Sequence, residues 1–390
     1  MPVFKPEIYY FLPSFRRHHV LINTVNIYKA LADSKKIRIA VVIVDATDES
    51  FPRTQFPDSS EYFAVDYYHS PKILLYSAGF FLDGKLDTDV PVFFAADDEL
   101  AFIERADLEN FSQSASSIGI PHYLVVKQDH DDYVRAYTGW TQCRDLCFVD
   151  DPITRLKLFA DQGVILHYVL YDGNYFRSLF KFISAILALL ARMEDGVDRF
   201  NEVLFSLTTM VASNIYLKHS GYIRRVDRRP AQVAKHRKRF EQKPVYPWIL
   251  IPRLRDTYPE LFQEMVSIIT DYWAEQTKSS ITSEFVNQAL DAYAVGYQQA
   301  TSRTWREGYE FTFHKRSLHS QGGTGFDRIF SNYDADHVSY NLNRHLIMTE
   351  IEKIKFRNCW VSNHTLKTLF ILKSSTLFDD EDAHLNSDTQ

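Results

Sequence analysis

Cysteine is nearly absent from this sequence. Cys143, Cys147 and Cys359 are the only three. They cannot build a disulfide framework, and a lone Cys-x3-Cys is a poor zinc signal. A reducing, cytoplasmic setting is the simplest expectation. His314, His319, His337, His345 and His364 are scattered without metal-ligand spacing. A strong excess of one charge is also missing. The net charge of −6 and pI near 6.2 exclude the basic footprint of a nucleic-acid binder. Long apolar runs are lacking too. The longest, Leu179–Ala191, contains Lys181 and falls short of the ~20 residues a bilayer span needs, so it predicts a buried helix. The first residues, Met-Pro-Val-Phe-Lys-Pro-Glu, lack the charged-then-apolar pattern of a signal peptide. Glycine is sparse where a phosphate loop would need it. Gln321-Gly-Gly-Thr-Gly325 has neither the preceding strand nor the helix spacing, and reads as a loop. No internal repeat is visible.

Core-building material is plentiful. Hydrophobic residues make up 45% of the 390, with 29 Phe and 23 Tyr, enough for a substantial core. Trp140, Trp248, Trp273, Trp305 and Trp360 could form a sugar-stacking platform, but buried packing is the ordinary role of each. Ile8–Leu12, closed by Pro13-Ser14, predicts a first strand. Arg16, Arg17, His18 and His19 follow, then a helix over Val20–Ala32. Ile37–Val44 is β-branched and continuous, as a strand covered on both faces should be, and stops at Asp45. Strand, helix and strand in so short a span form a βαβ unit with a right-handed crossover. Tyr62–Val65 predicts a third strand.

The centre of the chain is Pro91-Val-Phe-Phe-Ala-Ala-Asp-Asp-Glu-Leu-Ala-Phe102. A buried strand, Val92–Ala96, ends in Asp97, Asp98 and Glu99, and a helix is expected over Phe102–Phe111. Acids at the carboxyl end of such a strand lie where open α/β sheets bind ligands. Three together repel unless a cation or donors neutralise them. Hard oxygen ligands suit Mg²⁺ or Mn²⁺ carrying a phosphate oxygen. The ordinary alternative is an acidic helix start.

Further strands are predicted at Tyr123–Val126 and Val164–Tyr171, with a hairpin or variable loop over Asp129–Thr141. A helix starts at Asp150–Arg155, with Pro152 in its first turn. Helices follow over Tyr175–Arg192 and Val197–Asn214, then short strands at Ile215–Leu217 and Gly221–Ile223. Ten basic residues then crowd together: Lys218, Arg224, Arg225, Arg228, Arg229, Lys235, Arg237, Lys238, Arg239 and Lys243. After Pro252 the pattern turns helical, with amphipathic stretches over Tyr258–Gln276 and Thr282–Ala300. These shifts divide the chain into residues 1–245, a mainly helical extension over 246–378, and a disordered acidic tail over 379–390.

Leu12-Pro-Ser14, Val41-Val-Ile-Val-Asp-Ala-Thr47 and Phe93-Phe-Ala-Ala-Asp-Asp-Glu99 together resemble the nucleotide-sugar-dependent glycosyltransferases of GT-A fold. The resemblance is to the family-two-like group that builds bacterial surface polysaccharides. Leu166–Tyr171, Phe200–Leu204 and Gly221–Arg225 are similar to a bacterial subgroup of these glycosyltransferases, so the likeness runs over about residues 6–230. It implies an α/β fold, a GT-A-like mixed sheet flanked by helices, with a helical C-terminal extension. It implies inverting sugar transfer from a nucleotide-diphosphate donor to a glycan or lipid-linked acceptor, with Mn²⁺ or Mg²⁺ as cofactor. By resemblance Asp97 lies near the ribose, and the metal ligand is Asp98 or Glu99. The family more often has Asp at the last position of this D-x-D-like triplet. Asp45 would accept from the base or ribose, unless it is an ordinary turn residue. Pro13, Ser14 and Arg16 would line the nucleotide site. The general base would be Glu202, with Asp198 second and the Glu194-Asp195 pair less well placed. The basic stretch would fold over the diphosphate, rest on anionic membrane through residues 224–239, or simply face solvent. Two rivals stand beside this reading. One is a non-catalytic, degenerate glycan-binding or scaffold protein. The other is a sugar-phosphate nucleotidyltransferase, which needs a glycine-rich signature that Leu12-Pro-Ser-Phe-Arg-Arg17 lacks.

Overall fold

Two apolar runs dictate the centre of the molecule. Strands β1 (Ile8–Ser14) and β2 (Ile39–Asp45) are buried at every position. They pair in parallel from Ile8 opposite Ile39 to Ser14 opposite Asp45, with helix α1 (His18–Lys35) as the crossover. The computed structural model describes residues 4–14, 18–47, 50, 52–70, 86–87, 89–95, 99–103, 105–119, 122–128, 133–138, 149–163, 169–193, 200–212, 215–216, 221–226, 247–302 and 310–314.

Strand β3 (Phe63–His69) extends the sheet in parallel beyond β2. Strand β4 (Val92–Phe94) pairs in parallel with the other side of β1. There follow β5 (Glu99–Phe102), α2 (Arg105–Gln113), β6 (Ile118–Gly119), β7 (His122–Gln128) and β8 (Tyr133–Thr138). Next come α3 (Pro152–Gln162), β9 (Leu170–Tyr171), α4 (Gly173–Leu190), α5 (Phe200–Thr209), β10 (Ile215–Tyr216) and β11 (Gly221–Val226). The described chain closes with α6 (Pro247–Thr257), α7 (Pro259–Thr277), α8 (Ser283–Ser302) and β12 (Glu310–His314). The main sheet has the order β10-β6-β9-β4-β1-β2-β3, and β9 runs antiparallel to β4 and β6. This is a mixed α/β sheet flanked by helices, as expected. In a second sheet, β12-β8-β7-β11-β5, the strand expected at Tyr123–Val126 is β7, while Asp129–Thr141, expected as a hairpin or variable loop, supplies one strand, β8, antiparallel to β7.

The aromatic side chains of β1 and β4 hold a helix layer on each face. Tyr10 stacks on Phe93 and meets Tyr28 of α1, with ring centroids 5.7 and 4.4 Å apart. On the other face Phe11 stacks on Phe94 at 5.4 Å and meets Phe176 and Phe180 of α4. Helix α4 is the long apolar run, and its inward face is buried from Tyr175 to Leu190. Among the described residues, no helix is long and apolar enough to cross a membrane.

Local signals explain several boundaries. Asp151 caps α3 by accepting from the Thr154 amide at 2.8 Å, and Pro152 occupies the first turn. Gly163 ends that helix with φ of 59°, in the left-handed region. A side chain there would also collide with Tyr297, and one at Gly296 would strike the Asp161 carbonyl. Helices α3 and α8 therefore touch backbone to backbone. The C-terminal helices share the central core: Trp273 of α7 is fully buried and donates to Thr208 Oγ1 of α5 at 3.1 Å. Trp273 is thus a packing residue rather than an open platform.

Two expectations are corrected. The run Glu99–Phe102 is a strand, β5, pairing with β11, and the helix starts only at Arg105. Four residues are too few for periodicity to separate strand from helix. The C-terminal helical region starts at Pro247 rather than after Pro252, which lies inside α6. A proline in the first turn costs no ladder bond, so Pro247 opens the helix well.

Candidate functional site

Connectivity marks one edge of the main sheet. The chain leaves β1 for β2 on one side, while β4 lies against β1 on the other. The strand order reverses there, and open α/β sheets bind ligands outside the carboxyl ends at such a point. β1, β2 and β4 are parallel, so Ser14, Asp45 and the Phe94-Ala95 end of β4 share this edge. The Ala95 amide donates to the Phe11 carbonyl at 3.1 Å, which holds the end of β4 on β1. The acidic triplet begins two residues further on.

Asp45 is the best-defined polar group at this edge. It is fully buried. Its Oδ1 accepts from the Thr47 amide at 3.0 Å and from Thr47 Oγ1 at 2.5 Å. Its Oδ2 accepts from Tyr67 at 2.7 Å and lies 2.7 Å from His18 Nε2. Burial opposes ionisation of this carboxyl. The bonds from Thr47, Tyr67 and His18 outweigh that and hold it below the usual carboxylate range. The turn itself is pinned from both sides: the Ala46 amide donates to the Ser14 carbonyl at 2.9 Å and the Ser70 amide to the Asp45 carbonyl at 2.8 Å. His69 Nε2 donates to the Thr47 carbonyl at 2.7 Å.

Glu202 belongs to the helix layer. It stands in the first turn of α5 and is half-buried. The direction of α5 follows from its contacts. Near its C-terminal end, Thr208 O accepts from Tyr175 at 3.0 Å, and Thr209 Oγ1 lies 3.5 Å from the hydroxyl of Tyr171, the residue opposite Val92. Earlier in the helix, Phe205 meets Phe94 at 5.6 Å. Helix α5 therefore runs against the direction of β4, and its N-terminus points toward the carboxyl edge. Arg155 of α3 fixes the other end. It is buried, and its guanidinium donates to the carbonyls of Val149 at 3.0 Å, Met210 at 2.9 Å and Ala212.

Of the residues singled out from the sequence, Pro13, Ser14 and Asp45 lie together at this edge, and Glu202 stands in the first turn of α5. Arg16, Asp97, Asp98, Glu194, Asp195 and Asp198 lie outside the described residues. So do Arg228, Arg229, the three cysteines and Gln321–Gly325. Glu99 is the first residue of β5, where it is the register partner of Arg224 in β11. Arg224 and Arg225 thus belong to a strand, not a loop. Sequence reading missed Thr47, Tyr67, His18 and Arg155. Thr47 lies two positions from Asp45, a spacing the sequence does show, whereas His18 and Tyr67 lie 27 and 22 positions away and reach it from α1 and β3 only in the fold.

Among the described residues, no group of three His, Cys, Asp or Glu could hold a metal ion. Asp97, Asp98 and Glu99, which follow β4 in the sequence, offer carboxylate oxygens. Carboxylate oxygens fit a hard divalent cation such as Mn²⁺ or Mg²⁺.

No family model matches this chain, and no curated protein does. Solved structures resemble it loosely. Staphylococcus aureus TarS is 12% identical with a TM-score of 0.34, over 70% of this chain and 44% of that one. The WbbM bifunctional glycosyltransferase is 6% identical with a TM-score of 0.31, over 56% of this chain and 40% of that one. The mannosyltransferase PcManGT from Pyrobaculum calidifontis, solved with GDP-Man and Mn²⁺, is 11% identical with a TM-score of 0.32. That match covers 97% of this chain and 89% of that one. The chain thus spans less than half the length of TarS and WbbM.

Proposed function

We propose that this chain is a metal-dependent glycosyltransferase. It would move a sugar from a nucleotide-diphosphate donor to a glycan or lipid-linked acceptor, with inversion, in surface polysaccharide biosynthesis. One observation carries the reading. Strand β4 pairs with β1 at the point where the strand order reverses, and its carboxyl end leads directly into Asp97, Asp98 and Glu99.

The chemistry asks for these groups. Asp98, or Glu99 beside it, would hold the divalent ion, and Asp97 would lie near the ribose. A dication bound there would neutralise charge developing on the departing diphosphate. Pro13, Ser14 and Arg16 would line the nucleotide site. Glu202 would take the proton from the acceptor hydroxyl, with Asp198 as the alternative. The direction of α5 supports Glu202, since its first turn faces the edge where the donor would lie. Residues 1–245 would form the catalytic unit, 246–378 its extension and 379–390 a tail. The basic stretch 224–239 would meet either the diphosphate or an anionic membrane surface.

A thermal-shift panel of nucleoside diphosphates, with and without Mn²⁺, tests the reading, because a ligand bound to the native state raises apparent stability. A metal-dependent rise for at least one nucleotide is expected. The absence of any rise would sink it.

A further inference from the structure

We propose that one face of the second sheet is the acceptor site, and that it takes an anionic glycan chain. Lys127, Arg135 and Arg224 would meet the charges of that chain, and Tyr123, Tyr137 and Tyr222 would stack on its sugar rings. This inference rests on the glycosyltransferase reading above and names the class of its acceptor.

Register builds the face. Directly paired residues of neighbouring strands share a face, and so do alternate residues of one strand. Tyr222 of β11 pairs with Tyr123 of β7, and Arg224, two positions on, pairs with Val125. Val125 pairs in turn with Tyr137 of β8, and Lys127 with Arg135. These residues therefore stand in adjacent rows of one face, with Val125 and Val226 among them. The intervening Ile223, Leu124, Val126, Ala136 and Val134 belong to the opposite face, which Phe311 and Phe313 of β12 extend. Alternation of this kind suits a sheet with one face for a core and one for a polar environment.

Charge on this face is not balanced row by row. Lys127 and Arg135 are direct antiparallel partners, and like charges so placed repel. The next positions in their row are Val226 and Thr312, which carry no charge. Glu99 of β5 pairs with Arg224, and Glu310 of β12 is diagonal to Arg135. Among the described residues, the row of Lys127 and Arg135 thus holds two cations and no acid. An anion bound between them would remove the repulsion.

The rest of the face narrows the kind of anion. A tyrosine ring offers an apolar body and a polar tip, which suits the apolar face and hydroxyl rim of a sugar. A nucleic acid would call for the basic footprint that the net charge of −6 excludes. Four strand spacings from β5 to β12 amount to about 19 Å, enough for several sugar units in a row. Glu99 starts β5 and in sequence ends the acidic triplet, so chain continuity ties this face to the donor side.

The test measures binding of three probes to the full chain. They are a heparin-derived hexasaccharide, neutral maltohexaose, and linear polyphosphate as an anion without sugar rings. The wild type should bind the heparin hexasaccharide at least tenfold more tightly than maltohexaose. Lys127→Gln with Arg135→Gln should weaken the hexasaccharide at least tenfold and leave the Mn²⁺-dependent thermal shift by nucleoside diphosphate unchanged. Tyr123→Leu should weaken the hexasaccharide at least threefold and polyphosphate less than twofold. Arg135→Gln alone relieves the like-charge pair, so it should hold or raise the unfolding midpoint without ligand, where a merely structural arginine would lower it. Equal binding of hexasaccharide and maltohexaose, full hexasaccharide affinity in the double variant, or equal weakening of both anions by Tyr123→Leu overturns the inference while the function stands. So does loss of the nucleoside-diphosphate shift in the double variant, which would give these cations to the donor. Binding to phosphatidylglycerol vesicles without binding to the hexasaccharide would assign the face to a membrane and overturns it as well. If the wild type shows no nucleoside-diphosphate shift, the proposed function falls and this inference with it.

Discussion

The two ends of the main sheet each carry a carboxylate tied to neighbouring elements, and they are built in opposite ways. At the amino end, Glu7 accepts from Arg105 at 2.7 Å and from the Arg38 amide at 2.9 Å. Burial works against its ionisation, but the Arg105 and Arg38 bonds prevail and hold it below the usual range. Arg105 and Arg38 are both exposed to solvent. At the carboxyl end, Asp45 is buried, and three of its four donors, the Thr47 amide and hydroxyl and Tyr67, are neutral. Ion pairs in water close a structure cheaply and contribute little. A buried anion is costly unless every lone pair is met. The amino end needs only to hold α2 on the sheet. The carboxyl end fixes a turn around a buried anion.

Several variants would break or sharpen this contrast. Arg155 extends it to the opposite sign, as a buried cation satisfied by carbonyls of Val149, Met210 and Ala212. Arg155→Met should cost about 3–5 kcal/mol in denaturant unfolding, since it strands those acceptors at the end of α5. Asp98→Ala should slow sugar transfer at least ~100-fold, about 2.7 kcal/mol of barrier, and leave the unfolding midpoint in place. A rate within a few-fold of wild type would remove the acidic triplet from the chemistry. Asp45→Ala leaves buried donors without an acceptor and should cost about 1–3 kcal/mol. Glu7→Gln should cost under about 1 kcal/mol and leave transfer unchanged. If Glu7→Gln proves as damaging as Asp45→Ala, the distinction between the two ends fails.

Acid sharpens the same contrast. Both carboxyls are depressed in the folded state, so each contributes stability that is fully present above the ordinary carboxylate pKa, near 4. That contribution disappears as the pH falls through the lower folded value. Unfolding curves from pH 6 down to pH 2 should therefore steepen below about pH 4. Asp45→Asn should flatten that limb more than Glu7→Gln does.

Much of this architecture was legible in the residues. Ile37–Val44 announced a doubly covered strand, and Val92–Ala96 announced the one that leads into the acids, of which Val92–Phe94 forms β4. Asp151-Pro152 marked the start of α3, while Pro13-Ser14, expected as the loop after β1, are its last two residues. What stayed hidden depended on register. Asp45 was readable as a strand-end acid, but its bonds to His18 and Tyr67 arise only when α1 and β3 are brought beside the end of β2. Arg155 looked like one more helix arginine, and only the return of α5 brings carbonyls to it. Strand β5 was invisible because its partner, β11, lies more than a hundred residues away.

The most direct measurement is release of nucleoside diphosphate from a panel of nucleotide sugars, with Mn²⁺ or with EDTA, by the wild type, Asp98→Ala and Glu7→Gln. Expected is Mn²⁺-dependent release from at least one donor by the wild type and Glu7→Gln, and its loss in Asp98→Ala. Release that is equal in all three proteins and indifferent to EDTA, or no release from any donor, would contradict the assignment of the carboxyl edge as a metal-nucleotide site.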